Sequence, residues 1–303
     1  MALTLTSEAT DSIGLEEIME ALKRDVDFRD QQSIAKSAHL LRRLGNNRTF
    51  VTDFINKELV SWRTFQLGNQ YTPQTFMLGM GAEFSLRMNI WAPRSESEAF
   101  HDIEERLIAF HLPHDHNFSF MTLGYFGKGY NTDIYEYATS DQGERTLQLT
   151  EQTSLPEGKI MFYRAFEDVH EQSFAEDWSL SINILINTIE QLKRPQSFFK
   201  HGDINGPRTQ RNMPDEERAS LCQIAGRIGN GETTNLLEAI AVTHYIPQVR
   251  AAAAEALVLR EKDHFESVRK LIQKDEADLV RKIVLSEIKP TQSNAAGKLS
   301  LVR

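Results

Sequence analysis

Between Thr75 and Ile189 the chain is a succession of short apolar runs, each cut off by turn residues. FSLRMNIWAP (84–93), FSFMTLGYF (118–126), TDIYEYAT (132–139), RTLQLTEQTSL (145–155), KIMFYRAF (159–166) and SLSINILIN (179–187) have strand character. Gly127-Lys128-Gly129, Asp141-Gln142-Gly143 and Pro156-Glu157-Gly158 punctuate them. Many short strands at regular spacing predict a sandwich or a barrel.

The flanks have a different texture. Leu15, Ile18, Met19 and Leu22 fall at helical spacing, and Ile34, Ala35, Ala38, Leu41 and Leu44 repeat the pattern before Gly45-Asn46-Asn47 supplies a stop. A third helix is expected over Phe50 to Leu59. Residues 1–70 are therefore read as an N-terminal helical segment packed on the outside of a barrel at 71–192. Residues 193–213, with Pro195, Gly202, Gly206 and Pro207, read as a linker. Helix returns over 214–290, where Val249-Arg250 and Val280-Arg281 stand 31 residues apart with small residues behind each. This spacing resembles short HEAT-like repeats; a plain helical hairpin is the simpler alternative. Residues 291–303 read as a frayed tail. The fold class expected is α+β.

The length of 303 residues allows two or three domains. A formal net charge of -9 without a sustained basic run argues against nucleic acid, which needs phosphate-neutralising Lys and Arg. The single cysteine, Cys222, excludes an intramolecular disulfide and a Cys-rich zinc site, and suits a reducing cytosol. The N-terminus shows no basic region followed by an apolar core, and no apolar run approaches the ~20 residues of a membrane helix. A cytoplasmic protein without a membrane partner is expected.

The chemistry gathers in the nine histidines. In FHLPHDHNFSF, His114 and His116 stand two apart, and on a strand such residues project to one face. Imidazole suits iron, zinc, copper and nickel. Two histidines make a weak chelate, so a third ligand should come from another strand. His170, downstream of the Pro156–Gly158 turn, is the candidate. His111, Asp133 and Glu136 are the alternatives to it.

These segments resemble the cupin superfamily, whose first motif is a His-x-His pair followed by a Glu and then a Gly. Its second motif is a Pro-x-Gly turn and a third His. His114-Asp115-His116 matches the pair, Gly124 or Gly127 the glycine, and His170 the third ligand. Phe120 and Met121 stand where the glutamate belongs, which favours a three-His site. That set is similar to thiol dioxygenases of the cysteine dioxygenase kind. The resemblance implies one divalent metal ion, Fe(II), and implies that Arg87 pairs with a substrate carboxylate. Strand alternation supports an inward Arg87, because Phe84, Leu86, Met88 and Ile90 form an apolar face and Ser85, Arg87, Asn89 and Trp91 the other. An outward strand charge is the plain alternative, and Arg94 and Arg164 are the next candidates.

An iron-dependent oxygenase or oxidase is thus expected, with dioxygen and a small amino-acid-like or thiol substrate as partners. A second class is a non-catalytic metal- or ligand-binding module whose helical repeats dock a protein. A third is an isomerase or hydrolase using the metal as a Lewis acid.

Overall fold

The computed structural model describes residues 2–60, 63, 74–98, 101, 110–139, 145–186, 188, 194–206, 209–211, 213–260, 268, 270 and 273–275. The chain divides into two compact units, Met1–Arg211 and Asn212–Arg303. Among the described residues no helix is long and apolar enough to cross a membrane.

The first unit opens with a short strand, β1 (Leu3–Leu5), followed by α1 (Leu15–Asp25), α2 (Gln31–Lys36), α3 (Ala38–Asn46) and α4 (Phe50–Val60). Glu16 and Glu17 in the first turn of α1, and Lys23 and Arg24 in its last, complement the helix dipole. The run read as one helix through Leu44 is two, parted at Ser37, whose hydroxyl donates to Ile34 O at 2.7 Å. That side-chain bond to the backbone offers an alternative to a continuous helix.

Eight strands follow as β2 (Thr75–Met80), β3 (Phe84–Trp91), β4 (Ser119–Phe126), β5 (Asn131–Thr139), β6 (Arg145–Ser154), β7 (Ile160–Tyr163), β8 (Asp168–Ser173) and β9 (Ser179–Ile186). One antiparallel sheet has the order β1-β7-β4-β9-β3-β2, and a smaller one the order β6-β5-β8. The expected linker holds two more strands, β10 (Gln196–Phe198) and β11 (Thr209–Arg211), paired antiparallel. Turn-forming residues at its ends masked three-residue strands too short to show alternation. Isolated bridges from His114 to both His170 and Phe198 tie the segment before β4 between β8 and β10. Pairing among the described residues thus gives facing sheets and no closed ring of strands.

Alternation sorts the large sheet cleanly. Phe84, Leu86, Met88, Met121, Leu123, Ile160, Phe162, Ile182 and Ile184 share one core with Ile18, Leu22, Leu41 and Leu44 of the helices. Each such side chain, fully buried, contributes about 1.5–3 kcal/mol. Their strand neighbours Trp91, Phe120, Met161, Tyr163 and Leu185 form a second core with Ile134 of the smaller sheet and Tyr130 just ahead of it. The helices therefore cover one face of the large sheet, and the small sheet covers the other.

Gly124 and Gly158 approach closely. A Cβ on Gly124 would lie 2.1 Å from the Pro156 carbonyl oxygen, so no side chain fits there. Gly158 takes φ +85, a left-handed conformation natural to glycine, and its N–H donates to Gly124 O at 2.8 Å.

The second unit contains α5 (Met213–Ile228), α6 (Gly231–Thr243) and α7 (Pro247–Arg260). Ala251 to Ala254 and Ala256 are buried, and a Cβ on Gly226 would stand 2.7 Å from that of Ala256, so small residues let α5 and α7 approach closely. Val249 is buried, while Arg250 grips Asp275 through Nε and Nη2, each at 2.8 Å. Val280-Arg281, the second half of the proposed repeat, lies outside the described residues, as does most of 261–303.

Candidate metal centre

The first-sheet strands and the small sheet meet at three histidines. His114 N donates to His170 O and His170 N to His114 O, both at 3.0 Å, so the two residues are a directly opposed antiparallel pair. Opposed residues project to the same face, and His116, two residues on, joins them. The same-face argument thus holds, although only His114 is bridged into the sheet and His116 lies in an irregular stretch ahead of β4. One ring nitrogen from each of His114, His116 and His170 lies within 4.8 Å of the other two. Asp115 points the other way, where its carboxylate accepts from Ser197 N at 2.6 Å and from Tyr137 OH at 3.0 Å. The motif's central aspartate therefore anchors the segment that presents the histidines.

The ring nitrogens suit a cation. His114 Nδ1 bonds Leu112 O at 2.7 Å, which fixes the proton there and leaves Nε2 as an available lone pair. His170 is fully buried, and neither of its nitrogens makes a hydrogen bond of normal geometry. Two orphaned polar atoms at one buried ring are costly in a protein interior unless a ligand uses them. Burial lowers the pKa of His114, partly opposed by the Leu112 carbonyl. Burial pushes His170 well down, reinforced by His114 and only partly opposed by the Asp168 carbonyl. His116 also falls well below the usual range, through burial first and then through His114, His170 and Arg87. All three rings are held neutral, the form that ligates.

The surroundings are aromatic. Phe118 stacks on His116 at 4.5 Å, Tyr163 lies 4.9 Å from His170, and Phe198 stacks on His114 at 5.8 Å. Phe120, four residues past His116, packs 5.1 Å from its ring and stacks on Tyr163 at 4.5 Å. Burial raises the Tyr163 phenol well above its ordinary range, so it stays protonated.

Arg87 lies on β3 in register with Asn183 of β9, half-buried, on the strand face shared with Trp91. Its charge acts on His116 strongly enough to be among the causes of that ring's lowered pKa. Among the described residues the three-His group includes none of the alternative ligands. Glu136 Oε1 stands 3.8 Å from Arg164, whose guanidinium is also clamped by Asp168 and Glu167. Asp133 accepts from Gln152 and lines a separate groove with His111. Arg94 lies 5.6 Å from the Phe174 ring. His39, His101 and His244 make bonds with backbone groups, and His264 lies outside the described residues.

Gln196 was invisible to the motif reading. It stands on β10 with Nε2 2.7 Å from His116 Nδ1. With the amide nitrogen facing the ring, Nδ1 accepts and Nε2 keeps its proton. With Oε1 turned to the ring, Nδ1 donates and the Nε2 lone pair is freed for a cation. As placed, Nε2 also donates to Asp115 O at 3.3 Å, so a cation on His116 Nε2 would require the amide to turn and give up that bond. Gln196→Leu is expected to weaken metal binding about 10–100-fold, the usual effect of losing a ligand's outer partner. Chelator competition measures this, and unchanged affinity would remove Gln196 from the site.

The depressed pKa values also set a pH dependence. The unfolded chain binds protons at the ordinary histidine value of 6.5, while the folded rings resist them. Stability is therefore full above that value and is lost as pH falls below it. The slope should reach about 1.4 kcal/mol per pH unit for each histidine. Urea unfolding of metal-free protein at stepped pH checks it; a flat profile through the window would contradict the burial of neutral rings.

No protein-family model matches the sequence, and no curated protein matches it. Solved structures that resemble parts of it include a cupin domain from Bordetella pertussis Tohama I, at 8% identity over 38% of this chain and 92% of that one, TM-score 0.21. The coconut allergen cocosin is 10% identical over 41% of this chain, TM-score 0.23, and the match spans only 29% of cocosin. Salicylate 1,2-dioxygenase from Pseudaminobacter salicylatoxidans is 12% identical over 44% of this chain and 33% of that one, TM-score 0.25. Likenesses this faint say nothing of activity. What the strand pairing itself establishes is an α+β protein with facing antiparallel sheets, helices on one side, and a three-histidine cluster between the sheets.

Proposed function

We propose that the facing sheets form a cupin-type barrel holding one Fe(II) through His114, His116 and His170, and that the protein is a non-haem oxygenase. Its substrate in this reading is a small amino-acid-like or thiol compound that bears a carboxylate. The observation that carries the reading is a cluster of three neutral imidazoles, His114 and His170 buried and His116 half-buried, with no carboxylate among them. When bound, Fe(II) would supply open coordination positions where substrate and dioxygen can meet.

The chain's own residues have distinct tasks. Arg87 pairs with the substrate carboxylate in a two-pronged contact, which its planar fork suits. Phe118, Phe120 and Phe198 keep the site apolar and exclude water. Tyr163 holds its phenolic proton beside His170. Gln196, once its amide turns so that Oε1 accepts from His116 Nδ1, would hold His116 in the ligating tautomer.

The test is oxygen consumption by the Fe(II)-loaded full chain against a panel of amino acids and thiols. Uptake that depends on one carboxylate-bearing compound supports the oxygenase. A protein that binds Fe(II) tightly yet consumes no oxygen with any candidate fits the second reading, a ligand-sensing module with a HEAT-like docking unit. That reading draws on Leu221, Ile228, Leu236 and Val242, which lie on the helices of the second unit and are exposed.

A further inference from the structure

We propose that His111, Glu171 and His201 form a second divalent-metal site, which takes a borderline transition cation of the Zn(II) class. The site is separate from the three-His centre and shares no ligand with it. One ring nitrogen from each histidine and a carboxylate oxygen of Glu171 lie within 4.8 Å of one another. His111 Nδ1 is 3.6 Å from Glu171 Oε1, and His201 Nδ1 contacts the same oxygen.

The three residues come from three places in the chain: the segment before β4, strand β8, and the turn after β10. Strand alternation explains why two sites coexist. His170 and Glu171 are consecutive on β8, so His170 projects between the sheets and Glu171 to the opposite face. There Glu171 lines a groove of about 680 Å³ with Asp133, Gln152, Ser173 and the two histidines.

Glu171 is the residue that asks for a cation. It is 6% exposed, and its ion-pair partners among the described residues are the two histidines alone. Tyr135 OH donates to its other oxygen at 3.4 Å. On β5, Asp133 stands directly opposite Glu171 in the strand register. Carboxylates directly opposed across a ladder repel, and among the described residues no lysine or arginine pairs with the buried Glu171. A divalent ion offsets both. Two imidazoles and one carboxylate are a Zn(II) ligand set, and the open groove leaves room for water to complete a tetrahedron.

The test is equilibrium dialysis of metal-free full-length protein against Zn(II), read by elemental analysis. His201 is 63% exposed at its side chain, so His201→Ala removes a ligand with little disturbance of packing. His111 takes φ 55, so His111→Gly removes a ligand and also relieves a left-handed backbone. Both variants are expected to lose one equivalent of Zn(II), or to bind it at least about 100-fold more weakly, and His114→Ala to retain it. Wild-type stoichiometry and affinity in both variants would overturn the site. Because His114→Ala reports on the other centre alone, failure here leaves the three-His reading standing, and the reverse.

Discussion

His170→Leu is expected to abolish Fe(II)-dependent turnover and, at the same time, to stabilise the metal-free protein. The two effects share one cause. The ring is fully buried, and neither nitrogen makes a hydrogen bond of normal geometry. An unsatisfied buried polar group costs about 1–3 kcal/mol, and leucine has nearly the same volume without that cost. Loss of one of three ligands should lower metal affinity by several orders of magnitude, because the remaining pair is a weak chelate. Oxygen uptake after Fe(II) loading reads the first effect, and urea unfolding of the metal-free proteins the second. A variant destabilised by more than about 1 kcal/mol would mean that His170 is held by polar partners and serves the fold. Gain of stability with loss of binding is the signature of a residue kept for function.

Arg87→Ala is expected to weaken substrate binding about a hundredfold or more while leaving metal content unchanged, since an Arg–carboxylate pair typically contributes a few kcal/mol. The residue shares its strand face with Trp91, and Trp91 packs in the core between the sheets. Its charge acts on His116. Arg87→Lys should restore binding only in part, because an ammonium cannot make the paired contact. A KM increase in the alanine variant with full metal occupancy is the expected pattern. Unchanged turnover of the true substrate would leave Arg87 a structural charge and remove the case for a carboxylate.

How far the sequence reaches can be read from particular residues. The strands with strong alternation, such as β3 and β9, were legible because one face packs on helices and the other between the sheets. That His114, His116 and His170 gather was legible because a His-x-His pair aims two rings one way and a third His follows on a later strand. The strand that carries His170 was not, since Asp168 and Glu171 break its apolar pattern while being buried for other reasons: Asp168 clamps Arg164, and Glu171 meets His111 and His201. β1 was missed because a three-residue edge strand is defined by its partner, β7, over 150 residues away. Gln196 and His201 were missed together, in a stretch whose prolines and glycines read as linker. The hairpin of β10 and β11 gains its place from long-range bonds to Asp115 and Pro113. No local pattern encodes these.

The most direct measurement is metal content after anaerobic dialysis against Fe(II), comparing wild type with His114→Ala and His201→Ala. A three-histidine centre requires that wild type hold one more equivalent of iron than His114→Ala, and that His201→Ala keep that equivalent. Equal iron in wild type and His114→Ala would contradict it.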